Sequence, residues 1–203
     1  MNIFSAIEHW LKTMMFYAVK SIQIEKDRQK FETIVSSMKS VGDDFFIRTD
    51  SILIGMEYME IGSHFYCGRN AWIEALGRYR DQYFHPRMVI GDNFRMQHNC
   101  HIGCIESVEI GKNVLLGSKV YITDHFHGNI TADDVDVPPQ ERTLSSKPVR
   151  IGNNVWIGDN VTVLPGVSLG DNVIVGANAV VTHSFPANTV IAGCPAKIIK
   201  TLN

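Results

Sequence analysis

Between Ile151 and Val181 an apolar residue returns at every sixth position: Ile151, Ile157, Val163, Leu169, Val175 and Val181. A second apolar set follows four residues behind each of these, at Val155, Val161, Val167, Val173, Ala179 and Phe185. Neither an α-helix, with its period of 3.6, nor an alternating strand gives a strict period of six with two apolar positions per unit. A solenoid does, if each unit is a short strand plus a turn and three units close a triangular coil with the first-position side chains stacked inside. The second set, mostly small or β-branched, suits crowded corners. Gly follows the first position at Ile151-Gly152, Ile157-Gly158, Leu169-Gly170 and Val175-Gly176, and the pairs Asn153-Asn154, Asp159-Asn160 and Asp171-Asn172 suit corners that need unusual backbone angles.

The same pattern runs upstream through Ile90-Gly91, Met96 and Ile102-Gly103, shifts by two residues, and resumes at Ile110-Gly111, Leu116-Gly117 and Ile122. Weaker traces start near Ile54-Gly55 and Ile61-Gly62. Breaks at about residues 76–87 and 124–148 are read as insertions, which leave a solenoid as loops on one face. Propellers and right-handed β-helices also repeat Ile and Val, with longer or less regular periods. Ahead of the repeats, Ile3, Ile7, Trp10, Leu11 and Met14 follow helical spacing, and Phe31, Ile34, Val35 and Met38 suggest a second short helix. The expected organisation is a helical cap over residues 1–45, a β-solenoid over 46–197 and a tail over 198–203. Membrane docking by the cap is the alternative use of those helices, disfavoured by a polar face of mixed charge.

Composition narrows the function classes. Nineteen Lys and Arg against 21 Asp and Glu give a formal charge of -2, which offers no basic excess for a nucleic-acid backbone. The apolar stretch Met14 to Val19 falls far short of the ~20 residues that cross a bilayer, and Met1 to Trp10 lacks the basic start of a secretory signal, so a cytoplasmic location is expected. Cys67, Cys100, Cys104 and Cys194 are scattered, and Cys100-x-x-x-Cys104 has no second pair to complete a metal site, so buried or half-buried thiols are expected.

The block Pro148-Val-Arg-Ile-Gly-Asn-Asn-Val-Trp-Ile-Gly-Asp-Asn-Val-Thr-Val-Leu-Pro-Gly-Val-Ser-Leu-Gly170, with Gly193-Cys-Pro-Ala-Lys197 after it, resembles the hexapeptide-repeat acyltransferases. Within them it resembles the galactoside, maltose, O-antigen and capsule O-acetyltransferases, strongly from about residue 88 to 200. The resemblance implies an all-β, left-handed parallel β-helix assembled as a homotrimer, with acetyl-CoA lying between neighbours and acetyl passing to a sugar hydroxyl, most naturally of a surface glycan such as a lipopolysaccharide.

Acetyl transfer to an alcohol needs a base, and imidazole suits that task near neutral pH. Of eight histidines, His125, in Thr123-Asp124-His125-Phe126-His127-Gly128 where the coils give way to the long loop, matches the family's catalytic base. His127 is the local competitor. Asp124 is assigned either to the substrate or to fixing the loop turn, since neighbours in an extended segment point to opposite sides. Asn99 matches a position that holds the acceptor sugar, or is a corner residue. Trp156 should project from the wall beside the site. For the cofactor, the resemblance points to backbone around Gly158 and Ala177, to Lys197 near the CoA phosphates, and to His183, where relatives often carry Lys. The polar, Pro-broken segment Asp133 to Lys147 is expected to wall the acceptor pocket over a neighbouring subunit. Two rivals stand: a carbonic-anhydrase-like metal protein drawing on His98, His101, His125 and His127, and a non-catalytic scaffold. No metal is expected for the acetyltransferase.

Overall fold

The computed structural model describes residues 3–129 and 134–202, and the chain divides into two compact units, Met1–Ser36 and Ser37–Asn203. The first is a single α-helix, Ile3–Ser37, where the spacing suggested two. No Gly occurs before Gly42 and no Pro before Pro86, so nothing in the sequence interrupts it. Trp10, Met15, Phe16 and Tyr17 are exposed along it, and Arg28 bridges Glu25 and Glu32 at 2.7 and 2.8 Å. No helix among the described residues is long and apolar enough to cross a membrane.

The second unit is a left-handed parallel β-helix with three walls that the chain visits in turn. The first wall holds Ser40–Val41, Met59–Ile61, Arg87–Ile90, Ser107–Ile110, Val149–Ile151 and Ser168–Leu169. The second holds Phe46–Ile47, Tyr66–Cys67, Arg95–Met96, Leu115–Leu116, Trp156–Ile157, Ile174–Val175 and Thr189–Ala192. The third holds Ile52–Ile54, Trp72–Ala75, His101–Cys104, Tyr121–Thr123, Thr162–Val163 and Val180–Val181. Ile151 pairs with Leu169, Ile157 with Val175 and Val163 with Val181, so each regular coil is three hexapeptides. These side chains are buried inside the prism, and Val155, Val161, Val167, Val173 and Ala179 fill its corners.

The corner chemistry matches the sequence reading. Asn154, Asn160 and Asn172 adopt positive φ of 56, 56 and 60°, a region that Asn tolerates better than most residues. At one corner the asparagines form a ladder: Asn93 Nδ2 donates to Asn113 (2.9 Å), Asn113 to Asn154 (2.9 Å), Asn154 to Asn172 (3.2 Å) and Asn172 to Asn188 (2.8 Å). Glycine is required at Gly152 because a Cβ there would lie 2.7 Å from the backbone carbon of Gly170.

Several boundaries differ from expectation. Wall strands begin at Ser40–Val41, inside the segment read as cap, and a last strand, Lys197–Thr201, runs antiparallel to Thr189–Ala192 where a tail was expected. Ile54 is exposed, and Leu53 takes the inward slot, six residues after Ile47. Phe185 pairs with Leu169 on the first wall rather than filling a corner, because this coil is two residues short: Phe185 follows Leu169 by 16 positions where Leu169 follows Ile151 by 18.

The interruptions of the repeat share one place: the corner between the third wall and the first. Arg78–Tyr79 and Gln82–Tyr83 form a hairpin there, and His125–His127 pairs antiparallel with Leu144–Ser146 at the next insertion. The two insertions are joined. Gln82 Nε2 donates to the Leu144 carbonyl at 3.0 Å and Gln82 Oε1 accepts the Leu144 amide at 2.6 Å, while Arg80 donates to the Gln140 carbonyl at 2.7 Å.

Candidate active site

His125 stands where the third-wall strand Tyr121–Thr123 ends and the chain bends at Asp124. Asp124 is fully buried (0%) and is the hub of the bend. Its Oδ2 accepts from the amides of Glu106 and Ser107, both at 2.8 Å, and its Oδ1 accepts from Ile105 at 2.9 Å. Three consecutive N–H groups of the preceding corner thus converge on one carboxylate, which locks that corner to the His125 segment. The same Oδ1 lies 3.0 Å from His125 Nδ1, and Thr123 Oγ1 lies 3.1 Å from it. A carboxylate already receiving three donors has only acceptor capacity to offer, which assigns the imidazole proton to Nδ1. Nε2 has no partner among the described residues and presents a lone pair.

The ring folds back over the outer surface of the third wall. Its Cε1 lies 3.1 Å from the place that a Cβ on Gly103 would occupy. An imidazole fixed at Nδ1 by an acceptor and open at Nε2 is equipped to take a proton from a hydroxyl.

A scan against family models matches residues 148–183 to the bacterial transferase hexapeptide family (six repeats). The Escherichia coli K12 protein WbbJ, provisionally assigned as a lipopolysaccharide biosynthesis O-acetyl transferase, is 44% identical over 162 residues, covering 78% of this chain and 76% of that protein. The chain belongs to the hexapeptide-repeat O-acetyltransferase family. Galactoside O-acetyltransferase of Escherichia coli K12 is 36% identical over 137 residues, 67% of this chain and 63% of that protein. A galactoside acetyltransferase solved in complex with coenzyme A superposes with a TM-score of 0.58 at 27% identity, covering 84% of this chain and 68% of that one.

As a hexapeptide-repeat acetyltransferase, the chain keeps some of its sequence-assigned residues together and spreads others. Asp124 and His125 are in contact. The opposite-sides argument fails for them because the chain is bent, not extended, at Asp124, which both fixes the turn and reaches the ring. His127 is exposed and packs edge-on against Tyr79 at 5.6 Å. Asn99 is a corner residue at φ 59° whose Oδ1 accepts from Asn70 at 3.3 Å. Trp156 is 51% exposed on the second wall, in register with Leu115 and Ile174, and so on a different wall of the same chain from the strand that leads to His125.

Gly158 packs against Ala177, whose amide nitrogen would lie 2.8 Å from a Cβ on Gly158. Lys197 is exposed opposite Ala192. His183 is exposed too, with Nδ1 3.2 Å from Thr182 Oγ1 and its ring 4.4 Å from that of Phe185.

The histidines of the metal rival are committed separately. His98 Nδ1 accepts the Arg69 amide at 3.0 Å, and His101 Nε2 lies 3.1 Å from Glu74 Oε1. Among the described residues no group of three or more His, Cys, Asp or Glu is placed to hold a metal ion. Cys67, Cys100 and Cys104 are buried, and burial raises all three thiols, Cys67 to about 12. Cys194 is exposed. Residues 130–133, which include the start of the segment Asp133 to Lys147 read as a pocket wall, lie outside the described residues.

Sequence reasoning gave no role to Thr123, Gln82 or Glu74. Thr123 was visible within the His125 motif. Gln82 acts on Leu144 from 62 residues away, which no local pattern encodes. Glu74 follows the inward Ile73, and a charge at an outward position reads as a solvated face until something is found covering it.

Proposed function

We propose that the protein transfers the acetyl group of acetyl-CoA to a sugar hydroxyl of a surface glycan, with His125 as general base and a homotrimer as the working unit. The observation that carries the reading is the Asp124–His125 pair, an imidazole with Nδ1 engaged and Nε2 open at the end of a wall strand. Nε2 takes the hydroxyl proton as the oxygen attacks the acetyl carbonyl carbon. The tetrahedral intermediate collapses by breaking the C–S bond, and the imidazolium returns the proton to the departing sulfur, so acetyl-CoA and alcohol become ester and CoA thiol. Asp124 holds the tautomer and favours the imidazolium that forms.

The surface-glycan acceptor is supported by the similarity to WbbJ, and acetyl-CoA by the family. The trimer is supported by the exposed apolar side chains of the second wall, Phe46, Leu115 and Trp156, which a neighbouring prism would cover. Gly158, Ala177, Lys197 and His183 are assigned to the donor, with Lys197 meeting CoA phosphates, and Asn99 and Trp156 to the acceptor. Work is expected in the cytoplasm, where acetyl-CoA is made available.

The test is His125→Ala, assayed by CoA thiol release with a panel of sugar acceptors. Turnover should fall by about 10²–10⁴-fold with acetyl-CoA affinity and oligomer mass unchanged; unaltered turnover removes His125 from the mechanism.

A further inference from the structure

The outer surface of the third wall carries a row of residues in register: Ile54, Glu74, Gly103 and Thr123. Outward positions on a β-helix normally meet solvent, yet Glu74 is only 7% exposed and Thr123 only 2%. Glycine interrupts the row between them. The space where a Gly103 side chain would begin is bordered by His125 Cε1 at 3.1 Å, Thr123 Oγ1 at 3.5 Å and Glu74 Oε1 at 3.7 Å. These three groups close over a buried glycine, so the imidazole and a carboxylate meet across it on the outer surface of the wall.

Glu74 is not consumed by the fold. Among the described residues its carboxylate has one hydrogen-bond partner, His101 Nε2, at 3.1 Å to Oε1. His101 is held in turn by stacking on Trp72, with ring centroids 4.6 Å apart, and by Tyr121 at 5.1 Å. Oε2 has no partner among the described residues. Among the described residues no fully buried side-chain oxygen or nitrogen lacks a partner, so Oε2 is open to a donor from outside the protein. An ionised carboxylate only accepts, so its natural complement is a donor such as a hydroxyl.

We propose that Glu74 is an acceptor-binding residue: Gly103, having no side chain, lets the imidazole and the carboxylate lie close enough for one sugar to offer a hydroxyl to His125 and a neighbouring hydroxyl to the Glu74 carboxylate. The site then selects a polyhydroxylated ring over a simple alcohol, because an acceptor without the second hydroxyl strands the carboxylate unpaired. Gly103 sets the spacing of the two groups. An alanine there would press its methyl on the imidazole and move it relative to the carboxylate.

This assignment rests on the acetyltransferase reading above, and the experiment separates the two. Initial rates of CoA release are measured with methyl glycosides of galactose, glucose, mannose and rhamnose, and then with monodeoxy versions of the best acceptor, each lacking one hydroxyl beside the acetylated one. Glu74→Ala should lower kcat/KM for the parent glycoside by about 10- to 100-fold, chiefly through KM, and leave acetyl-CoA affinity unchanged. One deoxy glycoside should lose a similar factor with the wild-type enzyme and lose nothing further with Glu74→Ala, a non-additivity that a merely structural residue does not produce. Glu74→Gln, which retains an acceptor for His101, keeps the test open if the alanine variant does not fold; it should blunt the penalty for the same deoxy glycoside. Gly103→Ala should lower kcat/KM for the glycoside with unchanged acetyl-CoA affinity. An unchanged acceptor KM in Glu74→Ala, or a deoxy penalty kept in full by the folded Glu74 variants, overturns the assignment while the acetyltransferase reading stands. A wild-type protein that acetylates none of the glycosides sinks both.

Discussion

Replacing Asp124 by asparagine separates two tasks that one carboxylate performs. Asparagine is isosteric but offers one acceptor oxygen and one donor nitrogen. With its oxygen in the Oδ2 position it keeps the amides of Glu106 and Ser107, and the Ile105 amide still reaches that oxygen at 3.1 Å. Its NH₂ then occupies the Oδ1 position, 3.0 Å from His125 Nδ1. An NH₂ cannot accept, so Nδ1 must become the acceptor and the imidazole proton moves to Nε2, the atom proposed to receive the hydroxyl proton. The structural cost is about one weakened buried hydrogen bond, about 1–3 kcal/mol, out of a total stability of about 5–15 kcal/mol. The catalytic cost is far larger: holding the wrong tautomer lowers kcat by about 10⁴-fold in a serine-protease triad, which corresponds to about 5.4 kcal/mol of barrier. CoA thiol release, thermal unfolding and an acetyl-CoA titration read the three quantities separately. Expected are a turnover lower by about 10³- to 10⁴-fold, a Tm lower by about 2–4 °C per kcal/mol lost, and unchanged acetyl-CoA affinity. A variant that retains more than about a tenth of wild-type turnover refutes the tautomer argument. Asp124→Ala is a poorer probe, because it orphans the buried Ile105 amide at about 1–3 kcal/mol, strips two further amides of their partner and so threatens the corner itself.

Two further outcomes follow from the packing. In a thiol titration of the folded protein, Cys194 should react readily while Cys67, Cys100 and Cys104 wait for unfolding, since all three are buried with raised pKa; a second fast equivalent would contradict the described core. Asn154→Ala, at φ 56° in the middle of the asparagine ladder, should cost about 1–2 kcal/mol in a denaturant titration, and Asn154→Gly should recover much of that loss; equal losses from the two variants would place the effect in the ladder bonds and not in the backbone.

What the sequence made legible follows from how a prism is built. Each inward slot asks only for an apolar side chain of the right volume, and each tight corner for Asn or Gly, so Ile151 through Val181 could be placed residue by residue. The first coil obeys the same rule, with Val41, Ile47 and Leu53 six apart, but the chain lengthens at the corner before Ile61 and the phase is lost to inspection. Cys67 hid another slot, because a lone cysteine is not read as part of an Ile and Val repeat although it packs as a small apolar residue. The site is a different matter. His125 was singled out because the resemblance places the family's base there, where the period stops, whereas its surroundings come from pairings that no spacing encodes: Asp124 on amides of the coil before it, Gln82 on Leu144, Glu74 beneath a ring two coils along. The inward side chains of a wall are committed to stacking and leave none to spare for chemistry. The polar groups proposed to act on a substrate stand instead at the corner where the repeat is broken, as His125 does, or on the outward face of the wall beside it, as Glu74 does, and neither place is marked by the inward period that makes the fold readable.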